Sequence, residues 1–194
     1  MKKSALLLCA ALAACGTSQP SVFYTLDSGA VPAPMNQPAA NVLVAVEPVS
    51  VPPALSRPQI LLRDKNGLNA TISEFHRWIE SPADAIPDIL ARAMDKAAGR
   101  PIAKPVPVVN TTYPHRLFVE IVRFDAILDN AAVLDVWWTF TTRDDVVVSR
   151  SHVVMTEPVG PTYADAVRAE QILIERLGTD IGEAAKKMFK GKGR

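Results

Sequence analysis

The first fifteen residues constrain this chain more than any other stretch, because fourteen of them read as a leader that is cut away and the fifteenth as the residue that stays. Lys2 and Lys3 carry positive charge, Ser4 to Ala14 are mostly apolar or small with Leu6, Leu7 and Leu8 at the centre, and Leu12-Ala13-Ala14 leads into Cys15. That run is too short to cross a bilayer as a helix, so it reads as an export signal. A secretory signal ordinarily ends at a small-x-small site, but here a cysteine directly follows Leu-Ala-Ala. This order is similar to a bacterial lipobox, in which the thiol takes a lipid and the cysteine becomes the new N-terminus. Small residues before it let the backbone thread a peptidase cleft. Cys9 fits poorly, since bulky Leu8 precedes it and cleavage there would cut the apolar run short. The expectation is a signal peptide over 1–14, lipidation of Cys15, a tether over 15–22 and one folded domain over 23–194.

About 180 residues then remain, enough for one domain with a substantial core. At 48% hydrophobic and 21% charged residues the composition is that of a globular protein. No stretch after the leader is long enough to span a membrane as a helix. Of the two cysteines only Cys15 survives processing, which excludes an intramolecular disulfide and a thiol-based metal cluster. A net charge of +1 provides no global field for nucleic acid. The basic C-terminus, from Lys186-Lys187 to Lys190-Gly191-Lys192-Gly193-Arg194, reads as a solvated, frayed tail.

Strand and helix signals alternate along the chain. Phe23 to Leu26 is a brief β-prone run, followed by a Pro-rich loop from Asp27 to Asn41. Asn41 to Val49 is apolar on both alternating faces, as suits a central strand, until Pro48, Pro52 and Pro53 interrupt pairing. Gln59 to Arg63 and Asn69 to Phe75 are strand candidates around a Lys65-Asn66-Gly67 turn. Ser81-Pro82-Ala83-Asp84 announces a helix whose apolar face runs from Ile86 to Ala97 and which Gly99 closes. Three long β runs follow, Leu117 to Ala126, Ala132 to Thr142 and Val146 to Met155, spaced as consecutive hairpins. In the middle run Leu134, Val136, Trp138 and Phe140 share one face, and Asp135, Trp137, Thr139 and Thr141 the other. Thr162-Tyr163-Ala164-Asp165 opens a last helix in which Gly178 and Gly182 are each expected to cost about 1 kcal/mol relative to Ala.

Catalytic signatures are missing. The chain has no Gly-x-Ser-x-Gly elbow, no phosphate-cradling glycine loop and no His-Glu-x-x-His. His76, His115 and His152 sit on separate elements, and the acids around Ser81 suit a helix N-terminus. The expectation is no enzyme, no metal and no cofactor.

Four stretches in order carry a family likeness: Phe23-Tyr24-Thr25-Leu26 behind the anchor, Pro52-Pro53-Ala54-Leu55-Ser56-Arg57-Pro58-Gln59-Ile60, Arg77-Trp78 before a helix, and Arg123-Phe124-Asp125 at a strand end. From Tyr24 to about Met188 the chain resembles the ABC-type transport auxiliary lipoprotein family, the PqiC-like lipoproteins associated with MCE-type transport systems. Ile79-Glu80-Ser81-Pro82 departs from the Ala-Glu-Pro-Leu usual there. The resemblance implies an α/β fold, a three-layer sandwich with a mixed, largely antiparallel sheet flanked by helices, in agreement with the element order above. It further implies a non-enzymatic lipoprotein that serves intermembrane lipid transport and envelope integrity. The implied partners are an MCE-domain periplasmic subunit and an inner-membrane ABC permease and ATPase, with self-association into a homo-oligomer as a further expectation. Gly16 rather than Asp after Cys15 favours the outer membrane, facing the periplasm. Tyr24, Arg57, Trp78, Arg123 and Trp137 are the candidate partner-interface residues. Each also has a structural role open to it: Trp78 plugging the sheet edge, Arg57 and Arg123 pairing with acids such as Asp125, Trp137 lying under the last helix. The alternative function is a periplasmic lipid-binding carrier with an apolar cavity.

Overall fold

A computed structural model describes residues 19–27, 42–106 and 113–190, and of Lys190 the backbone only. The lipidation candidate Cys15 and its neighbour Gly16 lie outside the described residues. The elements in chain order are β1 (Val22–Tyr24), β2 (Val44–Val46), a 3-10 turn (Pro53–Ser56), β3 (Gln59–Arg63), β4 (Ala70–Trp78) and α1 (Pro82–Ala98). Then come β5 (Ala103–Pro105), β6 (His115–Ala126), β7 (Ala131–Thr142), β8 (Val147–Pro158) and α2 (Tyr163–Lys190).

β6 is the axis of one mixed sheet. Antiparallel β7 follows one edge of it from Ala126↔Ala132 to His115↔Thr142, and β8 follows β7 in turn. The opposite edge is divided. Parallel β2 takes its start (Val46↔Leu117), a bridge from Ser50 meets Glu120, and parallel β3 takes its end (Leu62↔Ala126). β5 extends the sheet beyond β2, and β4 and then β1 extend it beyond β3. The prolines between Pro48 and Pro53 let the chain leave β6 and return to it, since they cannot sustain continuous pairing.

Alternation along the strands decides which face is covered. Val44, Val46, Leu117, Val119, Ile121, Leu134, Val136 and Phe140 are buried in one cluster with Ile86, Leu90 and Met94 of α1 and Leu173, Ile174, Leu177 and Ile181 of α2. Both helices therefore lie on the same side of the sheet. The expected sandwich of a mixed sheet and helices is present, its described layers being two, and its long ladders antiparallel.

Local signals start and stop the helices as the sequence leads one to expect. Ser81 Oγ accepts from the Ala83 N–H at 3.1 Å, Pro82 opens α1, and Gly99 closes it in the left-handed conformation at φ 71°. Before α2, Thr162 Oγ1 accepts from the Asp165 N–H at 3.2 Å, and an Asp165 carboxylate oxygen accepts from the Thr162 N–H at 3.1 Å. The Thr162 hydroxyl, which donates to the Asp165 carboxylate at 2.6 Å, and then the Thr162 N–H hold that carboxyl below its ordinary value.

Gly178 and Gly182 act differently from expectation. A Cβ at Gly178 would lie 2.6 Å from Ala93 Cβ, and one at Gly182 would lie 2.8 Å from Met94 Cα. The two glycines are where α2 crosses α1 backbone to backbone. What they lose in helix propensity is offset by the close approach. β5 was unexpected as well. Asp95, near the end of α1, accepts from the N–H groups of Ile102 and Ala103 at 2.7 and 2.9 Å and steers that Pro-flanked stretch onto β2. Burial raises the Asp95 carboxyl above its ordinary value, against the lowering effect of those two bonds.

Residues 24–27 are strapped down at several points. The Ile79 N–H donates to Tyr24 O at 2.8 Å, Gln171 Nε2 donates to Thr25 O at 3.0 Å, and Arg92 pairs with Asp27 at 2.7 Å. Leu26, between them, is in the core.

Candidate interaction surface

The sheet face turned away from the helices carries a regular grid of side chains. Cross-strand register sets Phe118, Thr139 and Arg150 in one row and Glu120, Trp137 and His152 in the next. A bulge in β6 between Ile121 and Arg123 then adds one residue and brings Arg123 opposite Asp135, beside Val154. Trp137 is the centre. Its ring stacks on His152 at 4.4 Å, and the Arg150 guanidinium lies 4.7 Å from its centroid. His152 Nε2 in turn contacts Asp135 at 2.6 Å. Arg116 lies over the Phe118 ring at 4.9 Å while bonding Glu47 at 2.6 Å, which raises the Arg116 pKa. Aromatic rings held flat by cations and stacked partners are rigid, half-desolvated and presented at low entropic cost, as interface anchors are.

Arg123 links this face to a buried knot. It donates to both oxygens of Asp125, at 3.0 Å from Nε and 2.8 Å from Nη2, and Arg63 of β3 donates to the same carboxylate at 2.7 Å. Asp125 is 3% exposed. The hydrogen bonds to Asp125 push the Arg123 pKa up against the cost of partial burial. Pairing with an acid at a strand end is thus the role Arg123 plays here. Glu170 of α2, also 3% exposed, is the acid that sequence reasoning missed. Burial, with a smaller push from nearby Asp125, raises its carboxyl to about 8. Its signal was legible: Glu170 falls on the apolar stripe between Val167 and Ile174.

Of the remaining candidates, Tyr24, Trp78 and Arg57 meet at the β1 end of the sheet: Tyr24 is opposite Trp78 in the β1–β4 ladder, and the Trp78 N–H donates to O of Pro58, the neighbour of Arg57, at 2.6 Å. Trp137 lies on the face opposite α2, not beneath it. Trp78, 5% exposed, belongs to the core. The Tyr24 hydroxyl is 2.9 Å from His76 Nδ1, and the His76 ring stacks on Tyr163 at 3.9 Å. Arg57 is exposed after the 3-10 turn, away from the Asp125 knot. Trp137, between Glu120 and His152, is separate from Tyr24, Arg57 and Trp78, so the candidates do not form one patch. The histidines stay apart too, His76 between Tyr24 and Tyr163, His115 against Phe189, and His152 on Trp137. No group of three His, Cys, Asp or Glu among the described residues is placed to hold a metal. No helix among them is long and apolar enough to cross a membrane.

The described residues thus define an α/β protein in which one sheet face is backed by two helices and the other presents the Trp137 grid. The model of a family described as the ABC-type transport auxiliary lipoprotein component matches residues 24–182, and the chain belongs to that family. A crystal structure described as that of an uncharacterized protein is similar, with a TM-score of 0.70 at 15% identity over 86% of this chain and 99% of that one. Protein XCC0632 from Xanthomonas campestris, assigned to DUF330, is similar with a TM-score of 0.69 at 15% identity, over 88% of this chain and 98% of that one. At such identity the likeness is one of fold. No curated protein matches the sequence.

Proposed function

We propose that this chain is a non-enzymatic lipoprotein adaptor, held by acylated Cys15 at the periplasmic face of the outer membrane, that serves an MCE-type ABC system moving lipids between membranes. The carrying observation is the family match over 24–182 directly behind a lipobox. Several acyl chains on one cysteine give stable anchoring where one is marginal. The open sheet face around Trp137 supplies the docking surface for the periplasmic MCE subunit, with Arg123 at its border. Energy comes from a separate ATPase, because this chain has no nucleotide loop.

The carrier alternative gains no support from the cleft between the end of α1 and α2. It measures about 160 Å³ and is lined by Ala98, Arg100, Ile102, Lys186 and Phe189. That is below the roughly 300–1,000 Å³ of small-molecule sites. Affinity capture of the anchored protein from detergent-solubilised membranes tests the adaptor reading. Recovery of an MCE subunit or permease is expected, and lipid arriving with the protein and no transporter subunit would favour the carrier instead.

A further inference from the structure

We propose that the outer face of the β1–β4 edge rests on the membrane that receives the lipid, with Phe23, Phe75 and Ile79 entering the headgroup layer; this rests on the acylated Cys15 of the reading above. β1 is the outermost strand at its end of the sheet. Phe23 is opposite Arg77 in parallel register, and the Ile79 N–H on Tyr24 O carries that ladder one step further. Phe23, Arg77 and Ile79 therefore point away from the side on which Trp78 is buried. Phe23 is 58% exposed and Ile79 69%; Phe75, in the irregular part of β4 between the pairings of Ile72 and Arg77, is 39% exposed. Single exposed apolar residues need no explanation. Three at one sheet edge, beside the first described residues, form a patch.

Chain length names the occupant. Seven residue steps separate Cys15 from Val22, a contour of at most about 25 Å when fully extended. A domain of this size is roughly 40 Å across. The β1 edge is thus held closer to the lipid than the width of the domain. Exposed Arg57 and half-buried Arg77 are balanced by exposed Glu74 and Glu80. The contact is consequently apolar, with aromatic rings at headgroup depth, and does not depend on electrostatic attraction.

Photocrosslinking in cells tests this on the full chain, with benzoylphenylalanine replacing Phe23 or Ile79 and, as the control on the open sheet face, Val154. Phospholipid adducts at 23 and 79 are expected at about ten-fold the level at 154 and unchanged in about 0.5 M salt. Adducts at 23 and 79 to a second copy or to another protein, equal lipid adducts at 154, or no lipid adduct would each overturn the proposal. The same replacement at Phe75 supplies a third site should one variant fail to accumulate. Palmitate labelling of the same chains reads Cys15 separately. A labelled chain without phospholipid adducts overturns this contact and leaves the anchor standing, whereas an unlabelled chain with adducts does the reverse.

Discussion

Glu170 Oε2 is buried without a hydrogen-bond partner among the described residues, beside Asp125, which Arg63 and Arg123 already engage. Burial, and then the nearby Asp125 charge, raise the Glu170 carboxyl from an ordinary 4.5 to about 8. The folded state therefore holds a proton that the unfolded chain releases. Stability drawn from the neutral form is complete below the lower value and is lost as pH rises toward the upper one. Thermal denaturation should show Tm falling from about pH 5 to about pH 8, and Glu170→Gln should flatten that fall and stabilise the protein at the alkaline end by roughly 1–3 kcal/mol. An unchanged slope in the variant would refute the assignment. Trp137 gives a second expectation at this scale. Trp137→Ala should cost roughly 1–2 kcal/mol of folding stability through lost stacking, yet reduce recovery of the transporter subunit about ten-fold or more in the capture experiment. Strand alternation alone separates Trp137 from core Trp138, and the two-residue step from Arg123 to Asp125 exposes their pairing. Which acid approaches Asp125 from α2 is a tertiary matter, and only the charge on an apolar stripe hinted at it.

Among the elements, α1 shows most directly how local chemistry writes structure, because its cap, its opening proline and its closing glycine are all sequence signals. The three long strands are equally legible from alternation and from the Asp129-Asn130 and Arg143-Asp144-Asp145 turns, where Asp129 and Asp145 take positive φ. The glycines of α2 were not, since propensity is a local quantity and the space available beside Leu90, Ala93 and Met94 is not. Gly182→Ala makes the two accounts disagree in sign. Propensity alone predicts a gain of about 1 kcal/mol, whereas forcing a methyl group against the α1 backbone predicts a loss of roughly 1–3 kcal/mol. Urea denaturation decides between them, a lowered midpoint at unchanged slope being expected. β5 escaped notice for a related reason: three residues ending in Pro105 carry no period, and Asp95 rather than their own composition directs them.

For the whole molecule, the order of the strands was the least legible property. Nothing in the runs themselves says that β2 and β3 divide one edge of β6, because both are short, apolar and equally able to pair with it. Nor does alternation say how many layers cover the sheet. The half-polar face of β7 fits an exposed sheet or a thinly covered one, and only the common side of α1 and α2 decides it. Lipidation makes a prediction at this scale. Cys15→Ser should move the protein from the membrane pellet to the soluble fraction, as read by fractionation of cell lysates. Sedimentation with membranes as before would sink the anchor.

The straps on residues 24–27 also have a mechanical meaning. Tyr24 is held by the sheet edge, Thr25 by α2 and Asp27 by α1, so a pull from the N-terminal side meets three attachments one after another. Peeling β1 alone would not release the leash, and the whole body would turn as one piece when its moorings pull.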